Sequence, residues 1–167
     1  QIFNVYQDSE EDEWILTDKG VSIIGKKTLD TDFPFQFITQ IKESIYLIAE
    51  NDKLARYDFH TKKLKFVDIP YPHDKINNVT TIGKDMLALG TDNGLILYSI
   101  PQNSFQQIDI RTATQTSNFV ESVYQDRQGE IWIFSKDPGI VRLNLATNEK
   151  EHLFTPKDEI IKHGRKS

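Results

Sequence analysis

Cysteine is absent from the 167 residues, which excludes a disulfide framework and a thiolate metal site. No apolar run approaches the roughly 18 residues a membrane-spanning helix needs, and no succession of basic, apolar and small residues marks a secretory leader. Because the chain opens on Gln1 rather than Met, it reads as a mature or excised segment. Basic clusters are scarce too: the one run, Lys162 to Lys166, reads as a solvated tail. A formal charge of -5 and a pI near 5.4 leave no footprint for nucleic-acid phosphates, and no membrane contact is expected of this segment. The four histidines His60, His73, His152 and His163 stand isolated, without an HExxH pair. No GxSxG elbow, P-loop or GxGxxG occurs, and the Asn78-Val79-Thr80 sequon reads as incidental. No catalytic residue, metal or cofactor is therefore expected, and the segment reads as non-enzymatic.

What is present is an ordinary globular composition, 38% hydrophobic and 27% charged with a mean hydropathy of -0.49, and an internal repeat. Tyr6, Gln7, Asp8 and Trp14 recur 118 residues later as Tyr124, Gln125, Asp126 and Trp132. Tyr46, Arg56, Asp58 and Thr61 recur 86 residues later as Trp132, Arg142, Asn144 and Thr147. Met86 to Leu95 parallels Glu13 to Val21, with Ala88 where the other copies carry an aromatic. The anchors Trp14, Tyr46, Ala88 and Trp132 are spaced by 32, 42 and 44 residues. Within each repeat the apolar residues come in runs of four to six, rich in Ile, Val, Leu, Tyr and Trp and bounded by turn residues, which means strands. The fourth repeat reads as strands over 120–125, 130–135, 140–144 and 150–154, four strands joined by three short hairpins. That is one blade of a β-propeller. The expected fold is all-β, with four antiparallel blades over about 1–29, 37–69, 76–110 and 119–154. The first is clipped in its outer strand, and a tail over 155–167 could form one helical turn at 156–162.

Ser122-Val123-Tyr124-Gln125-Asp126-Arg127-Gln128-Gly129-Glu130-Ile131-Trp132-Ile133 resembles the two-component regulator propeller repeat. Leu54-Ala55-Arg56-Tyr57-Asp58 and Gly90-Thr91-Asp92-Asn93-Gly94-Leu95 resemble two further elements of it. The strand-B glycine of that repeat is replaced by Leu16, Ile48 and Phe134. The resemblance implies a fragment of a larger, seven-bladed type propeller from the periplasmic sensor region of a hybrid histidine kinase. Such a sensor would respond to a carbohydrate breakdown product, with the kinase elsewhere in the parent protein. A propeller scaffold for protein assembly is the alternative.

Candidate residues divide into repeated and unrepeated ones. Trp14, Tyr46 and Trp132 could stack on sugar rings, but a repeated mid-strand aromatic is better explained by packing between sheets. Arg56 and Arg142 share a strand face with Asp58 and Asn144, which predicts structural pairing with a nearby acid, with a ligand-carboxylate clamp as the sharper alternative. Asp8-Ser9-Glu10-Glu11-Asp12-Glu13 alternates oxygens as a calcium loop does but lacks its glycine and terminal glutamate, so it reads as a solvated hairpin tip. Ligand contacts are sought in unlike loops on one rim, at Phe33, Phe35, Tyr71, His73, Asp74, Asp92, Asn93, Arg111 and Asp137. Of these, Tyr71, His73, Asp92, Asn93, Arg111 and Asp137 are the candidates for a possible oligosaccharide. Finally, Ile2, Phe3, Val5 and Tyr6 in the first blade, and Ile131, Ile133, Val141 and Leu143 in the fourth, look uncapped. Self-association of the isolated segment is expected from them, and contact with further blades of the parent chain.

Overall fold

The computed structural model describes residues 1–29, 31, 33–73, 75–112, 117–135 and 139–154, and among these the regular elements are β-strands, with no helix. The expected helical turn at 156–162, the basic tail, Asp74 and Asp137 lie outside the described residues. The first sheet contains β1 (Ile2–Gln7), β2 (Glu13–Thr17) and β3 (Gly20–Ile24). The second contains β4 (Phe35–Ile41), β5 (Ser44–Ala49), β6 (Leu54–Asp58) and β7 (Leu64–Val67). The third contains β8 (Ile76–Ile82), β9 (Met86–Thr91), β10 (Gly94–Ser99) and β11 (Ser104–Ile108). The fourth contains β12 (Ser122–Gln125), β13 (Ile131–Phe134), β14 (Ile140–Asn144) and β15 (Glu149–Phe154). Each sheet is an antiparallel meander in sequence order, as hairpin connections dictate. The chain forms two compact units, Gln1–Pro70 with the first pair of sheets and the remainder, from Tyr71, with the second pair.

The repeated Asp and Trp make the same local device twice. Asp8 Oδ1 accepts from the backbone N–H of Glu10 at 2.8 Å and Asp12 at 3.1 Å, while Oδ2 accepts from the Trp14 indole at 2.8 Å. Asp126 Oδ1 accepts from Gln128 at 2.9 Å and Glu130 at 3.0 Å, and Oδ2 from the Trp132 indole at 2.8 Å. One carboxylate thus closes the first hairpin turn and fixes the ring of the next strand, an Asx turn with an aromatic anchor. The other recurrence closes the third hairpin: Asp58 Oδ1 accepts from His60 and Thr61, and Asn144 Oδ1 from Ala146 and Thr147. Lys62 and Asn148 follow with φ of 58° and 59°, the left-handed residue such a turn ends on.

In the first unit the row Tyr6, Trp14, Ile23 on the first sheet faces Ile38, Leu47 and Ala55 on the second. Trp14 is 0% exposed and its ring meets Tyr57 edge-on at 5.2 Å, with Tyr57 in turn on Phe59. Ring burial of this kind removes about 150–250 Å² from water. The acidic hairpin is a solvated tip at Ser9, Glu10, Glu11 and Glu13, which are exposed, but Asp8 and Asp12 correct that reading, each being 5% exposed. After β3 the chain turns at Gly25, and among the described residues no outer strand forms. Asp12 Oδ1 accepts from the Lys26 amide at 3.0 Å, and its Oδ2 from the Lys27 amide and Nζ at 3.2 and 3.0 Å. Lys27 Nζ also lies 3.1 Å from Asp8 Oδ2 and 2.5 Å from Glu10 Oε1, and 4.0 Å above the Phe59 ring. A buried ammonium occupies the place a cation would take, because two carboxylates drawn inside by turn geometry require a counter-charge. A Cβ on Gly25, whose φ is 143°, would stand 2.0 Å from Asp12 Oδ1, so the turn requires glycine there.

In the second unit the third sheet contributes Ala88, Leu95 and Leu97, and the fourth Val123, Ile131, Ile133, Val141 and Leu143. This corrects the expectation for the fourth blade. Ile131, Ile133, Val141 and Leu143 are at most 1% exposed and face the third sheet. The uncapped face is the opposite one, the row Tyr124, Trp132, Arg142, with Tyr124 58% exposed. Tyr6 is likewise turned inward, whereas Ile2, Phe3 and Val5 are exposed.

Candidate functional site

The rim of the second unit is built from a two-residue hairpin, Asp92-Asn93, between β9 and β10. Thr91 Oγ1 accepts from the Asn93 N–H at 3.0 Å and donates to Gly94 O at 2.8 Å. Gly94 has φ of 93° and a Cβ there would meet Ile108 O at 2.6 Å, so the turn again demands glycine. Asp92 exchanges bonds with Lys75: its N–H donates to Lys75 O, and its Oδ1 accepts from the Lys75 N–H at 3.1 Å. Asn93 Nδ2 donates to Pro72 O at 3.1 Å, and its carbonyl accepts from Gln107 Nε2 at 2.9 Å. Tyr71 donates its hydroxyl proton to Phe105 O at 3.2 Å, and His73 Nδ1 donates to Tyr71 O at 2.9 Å. The buried Asn118 links this turn to the next connection, accepting from Ile110 N–H at 2.9 Å and donating to Asn93 Oδ1 at 3.4 Å.

Tyr71, His73, Asp92 and Asn93 are therefore brought together, and their polar groups tie the connection 71–75 to the hairpin. Arg111 stands on the neighbouring connection, with Nε 3.0 Å from Asp109 Oδ1 and Nη2 on Oδ2. The pair holds Asp109 below its ordinary carboxylate value and Arg111 above its own. Its charge is matched locally. Asp137 lies outside the described residues. Phe35 is core, 0% exposed.

The repeated arginines sit on acids. Arg56 Nη2 donates to Asp58 Oδ2 at 3.2 Å and its Nε to Ser44 Oγ at 3.1 Å. Arg142 pairs with Glu151, lies 3.7 Å from Glu130 and covers the Trp132 ring at 5.6 Å. Glu130, Arg142, Asn144 and 149–151 line a polar hollow of about 180 Å³.

The first unit carries a more apolar cavity at the equivalent place, between its own hairpin after β5 and the connection before β4. It is about 250 Å³ and lined by Phe33, Pro34, Ala49, Glu50 and Asn51. Glu50 N–H donates to Pro34 O at 3.0 Å, as Asp92 N–H does to Lys75 O, and this bond sets the rim. Phe33, 54% exposed, meets Phe66 edge-on at 6.5 Å and forms an aromatic wall beside a carboxylate and an amide. Reading the sequence for unlike loops found Phe33 and missed its four companions. The signal was there: Glu50-Asn51 stands 42 residues before Asp92-Asn93, the spacing of the anchors Tyr46 and Ala88.

Residues 114–137 match the family model of the two-component regulator propeller. Among curated proteins nothing matches. The chain is similar to the extracellular domain of a putative hybrid two component system of B. thetaiotaomicron, BT4673, with 19% identity and a TM-score of 0.69 over 90% of this chain and 21% of that one. A second such domain from the same organism, BT3049, aligns with 17% identity and a TM-score of 0.65, again over 90% and 21%. The WD40 β-propeller domain of Doa1 aligns with 13% identity and a TM-score of 0.61 over 85% of this chain and 50% of that one. These likenesses establish propeller blades as the fold. The chain spans about a fifth of the length of the two extracellular domains.

Proposed function

We propose that this segment belongs to the ligand-sensing part of a hybrid two-component regulator, works outside the cytoplasm and performs no chemistry of its own. The match at 114–137 carries the reading, supported by the fold shared with extracellular domains of putative sensors. The kinase and further blades would lie elsewhere in the parent chain. The ligand class is a carbohydrate breakdown product, taken at the cavity of Phe33, Pro34, Ala49, Glu50 and Asn51. An exposed aromatic face stacks on the C–H face of a sugar ring, and the Glu50 carboxylate and Asn51 amide accept from and donate to its hydroxyls. At about 250 Å³ the cavity suits one ring, with the rest of an oligosaccharide in solvent.

Calorimetric titration against a panel of mono- and oligosaccharides tests this. Binding that Phe33→Ala and Glu50→Gln remove, while Asn93→Ala leaves it, places the ligand in the cavity. The reverse pattern moves it to the rim of Tyr71, His73, Asp92, Asn93 and Arg111, whose groups would exchange protein partners for ligand. A flat response across the panel favours the scaffold reading, for which the exposed Tyr124 and half-buried Trp132 speak.

A further inference from the structure

The hairpin after β5 and the hairpin after β9 hold the same place in their sheets and use their side chains differently. In the second unit both are engaged by the protein: Asp92 Oδ1 accepts from the Lys75 N–H at 3.1 Å, and Asn93 Nδ2 donates to Pro72 O at 3.1 Å. Glu50 and Asn51 stand at the corresponding positions of the first unit, 42 residues earlier. Among the described residues the Glu50 carboxylate and the Asn51 amide have no hydrogen-bond or ion-pair partner.

Their backbone is nevertheless fixed. The Glu50 N–H donates to Pro34 O at 3.0 Å, and Asp52, with φ of 61°, closes the turn by donating its N–H to Ala49 O at 2.9 Å. The hairpin therefore holds a carboxylate and an amide at the cavity of about 250 Å³ that Phe33, Pro34 and Ala49 complete. The Phe33 ring is braced edge-on by Phe66 and stays exposed.

Charge sets what such a cavity prefers. Among the described residues that line it Glu50 alone is charged, and Lys53, the next cation along the hairpin, does not line it. The Phe33 ring adds the negative face of an aromatic quadrupole, which attracts a cation and repels an anion. Both groups act with the same sign on whatever enters.

We propose that the cavity selects an amino sugar with a free amine. The C–H face of the sugar rests on Phe33, its ammonium donates to the Glu50 carboxylate, and the Asn51 amide takes a neighbouring hydroxyl. The same carboxylate turns away uronic acids, which bring a like charge without a counter-ion. This inference rests on the reading of the cavity as the carbohydrate site and names which carbohydrate it prefers. Because both groups are exposed, solvent screens them and the preference over a neutral sugar is modest, about fivefold.

Ligand-observed NMR titrations with glucosamine, N-acetylglucosamine, glucose and glucuronate test it at about pH 6, where an amine of pKa about 8 is protonated. Glucosamine should bind about fivefold tighter than the two neutral sugars, and glucuronate weakest. Glu50→Lys should invert the order, with glucuronate tightest and glucosamine weakest, and Phe33→Ala should weaken all four. Both side chains are exposed, so neither substitution empties the core. Equal binding of the four sugars by the unaltered protein, or an order that Glu50→Lys does not invert, overturns the preference for an amine; the cavity then stays a sugar site if Phe33→Ala still weakens binding. Cyclohexylamine binding as tightly as glucosamine would mean that an ammonium alone is recognised, and would sink both the amino sugar and the carbohydrate reading. Binding of none of the four sugars sinks both as well.

Discussion

Trp14 and Trp132 occupy the same place in their repeats, donate to the same kind of carboxylate at 2.8 Å, and have opposite surroundings. Trp14 is sealed beneath Tyr57 and Ile38, whereas Trp132 is half-buried, with Arg142 over its ring. The local sequence closes the hairpin and orients the ring; only a neighbouring sheet decides whether the ring becomes core. The interiors of the two units differ for the same reason. The first fills the gap between sheets with Trp14, Tyr57 and the Lys27 cluster, while the second brings Ala88 and Gly90 against Val120 and Val123. Large rings on one side and small residues opposite β-branched ones on the other are two solutions to one packing problem.

The largest contrast should come from the tryptophans themselves. Trp14→Ala is expected to cost the first unit about 3–5 kcal/mol in urea unfolding, and Trp132→Ala less than about half of that, since it empties no closed space. Equal costs would mean that Trp132 is covered in solution. Next, Lys27→Met leaves Asp8, Glu10 and Asp12 without their cation, and should cost the first unit about 3 kcal/mol at neutral pH. Burial alone would lower the Lys27 pKa, but Glu10, Asp12 and Asp8 outweigh it and raise it above its ordinary value. The Lys26 amide, against burial and with help from Lys27, holds Asp12 below the ordinary 3.8. The Asp12 contribution is therefore full above pH 3.8 and lost as acid carries the pH below that value. That of Lys27 is full below pH 10.5 and lost as the pH rises beyond it. A pH series of unfolding midpoints should show the Lys27→Met deficit shrinking on the acid side.

A smaller effect probes the second unit. A Cβ on Gly90 would stand 2.8 Å from Val120 Cγ1, so Gly90→Ala should cost about 1–3 kcal/mol by overpacking. Adding Val120→Ala should recover part of that loss, and a full, unrelieved penalty would place the strain elsewhere. Smallest are the glutamine bonds between neighbouring sheets: Gln40→Ala, which loses the bonds to Ser9, and Gln125→Ala, which loses the Gly83 N–H, should each cost about 1 kcal/mol in urea unfolding.

Much of this was legible in the residues. Strand runs bounded by turn formers announced the sheets, and the two exact recurrences announced hairpins that prove identical down to the bond from aspartate to indole. The candidate site was less so. Tyr71, His73, Asp92 and Asn93 were found as unlike polar loop residues, yet composition does not reveal that their partners are backbone groups of the adjacent loop. Nor does alternation along a strand say which of its two faces has a neighbour, so the exposed face of the fourth sheet was assigned to Ile131 and Val141 instead of Tyr124 and Trp132. The acidic hairpin shows the same limit, since its counter-charge comes from Lys27, 15 residues beyond Asp12.

What the sequence determined by itself was therefore everything local: strand periods, turn chemistry and the number of repeats. These depend on groups a few residues apart, whose geometry the backbone itself imposes. The tertiary structure alone decided which faces are buried, which carboxylates gain a cation and where a cavity remains. Those outcomes depend on distant segments meeting, and burial energy follows the neighbour rather than the residue.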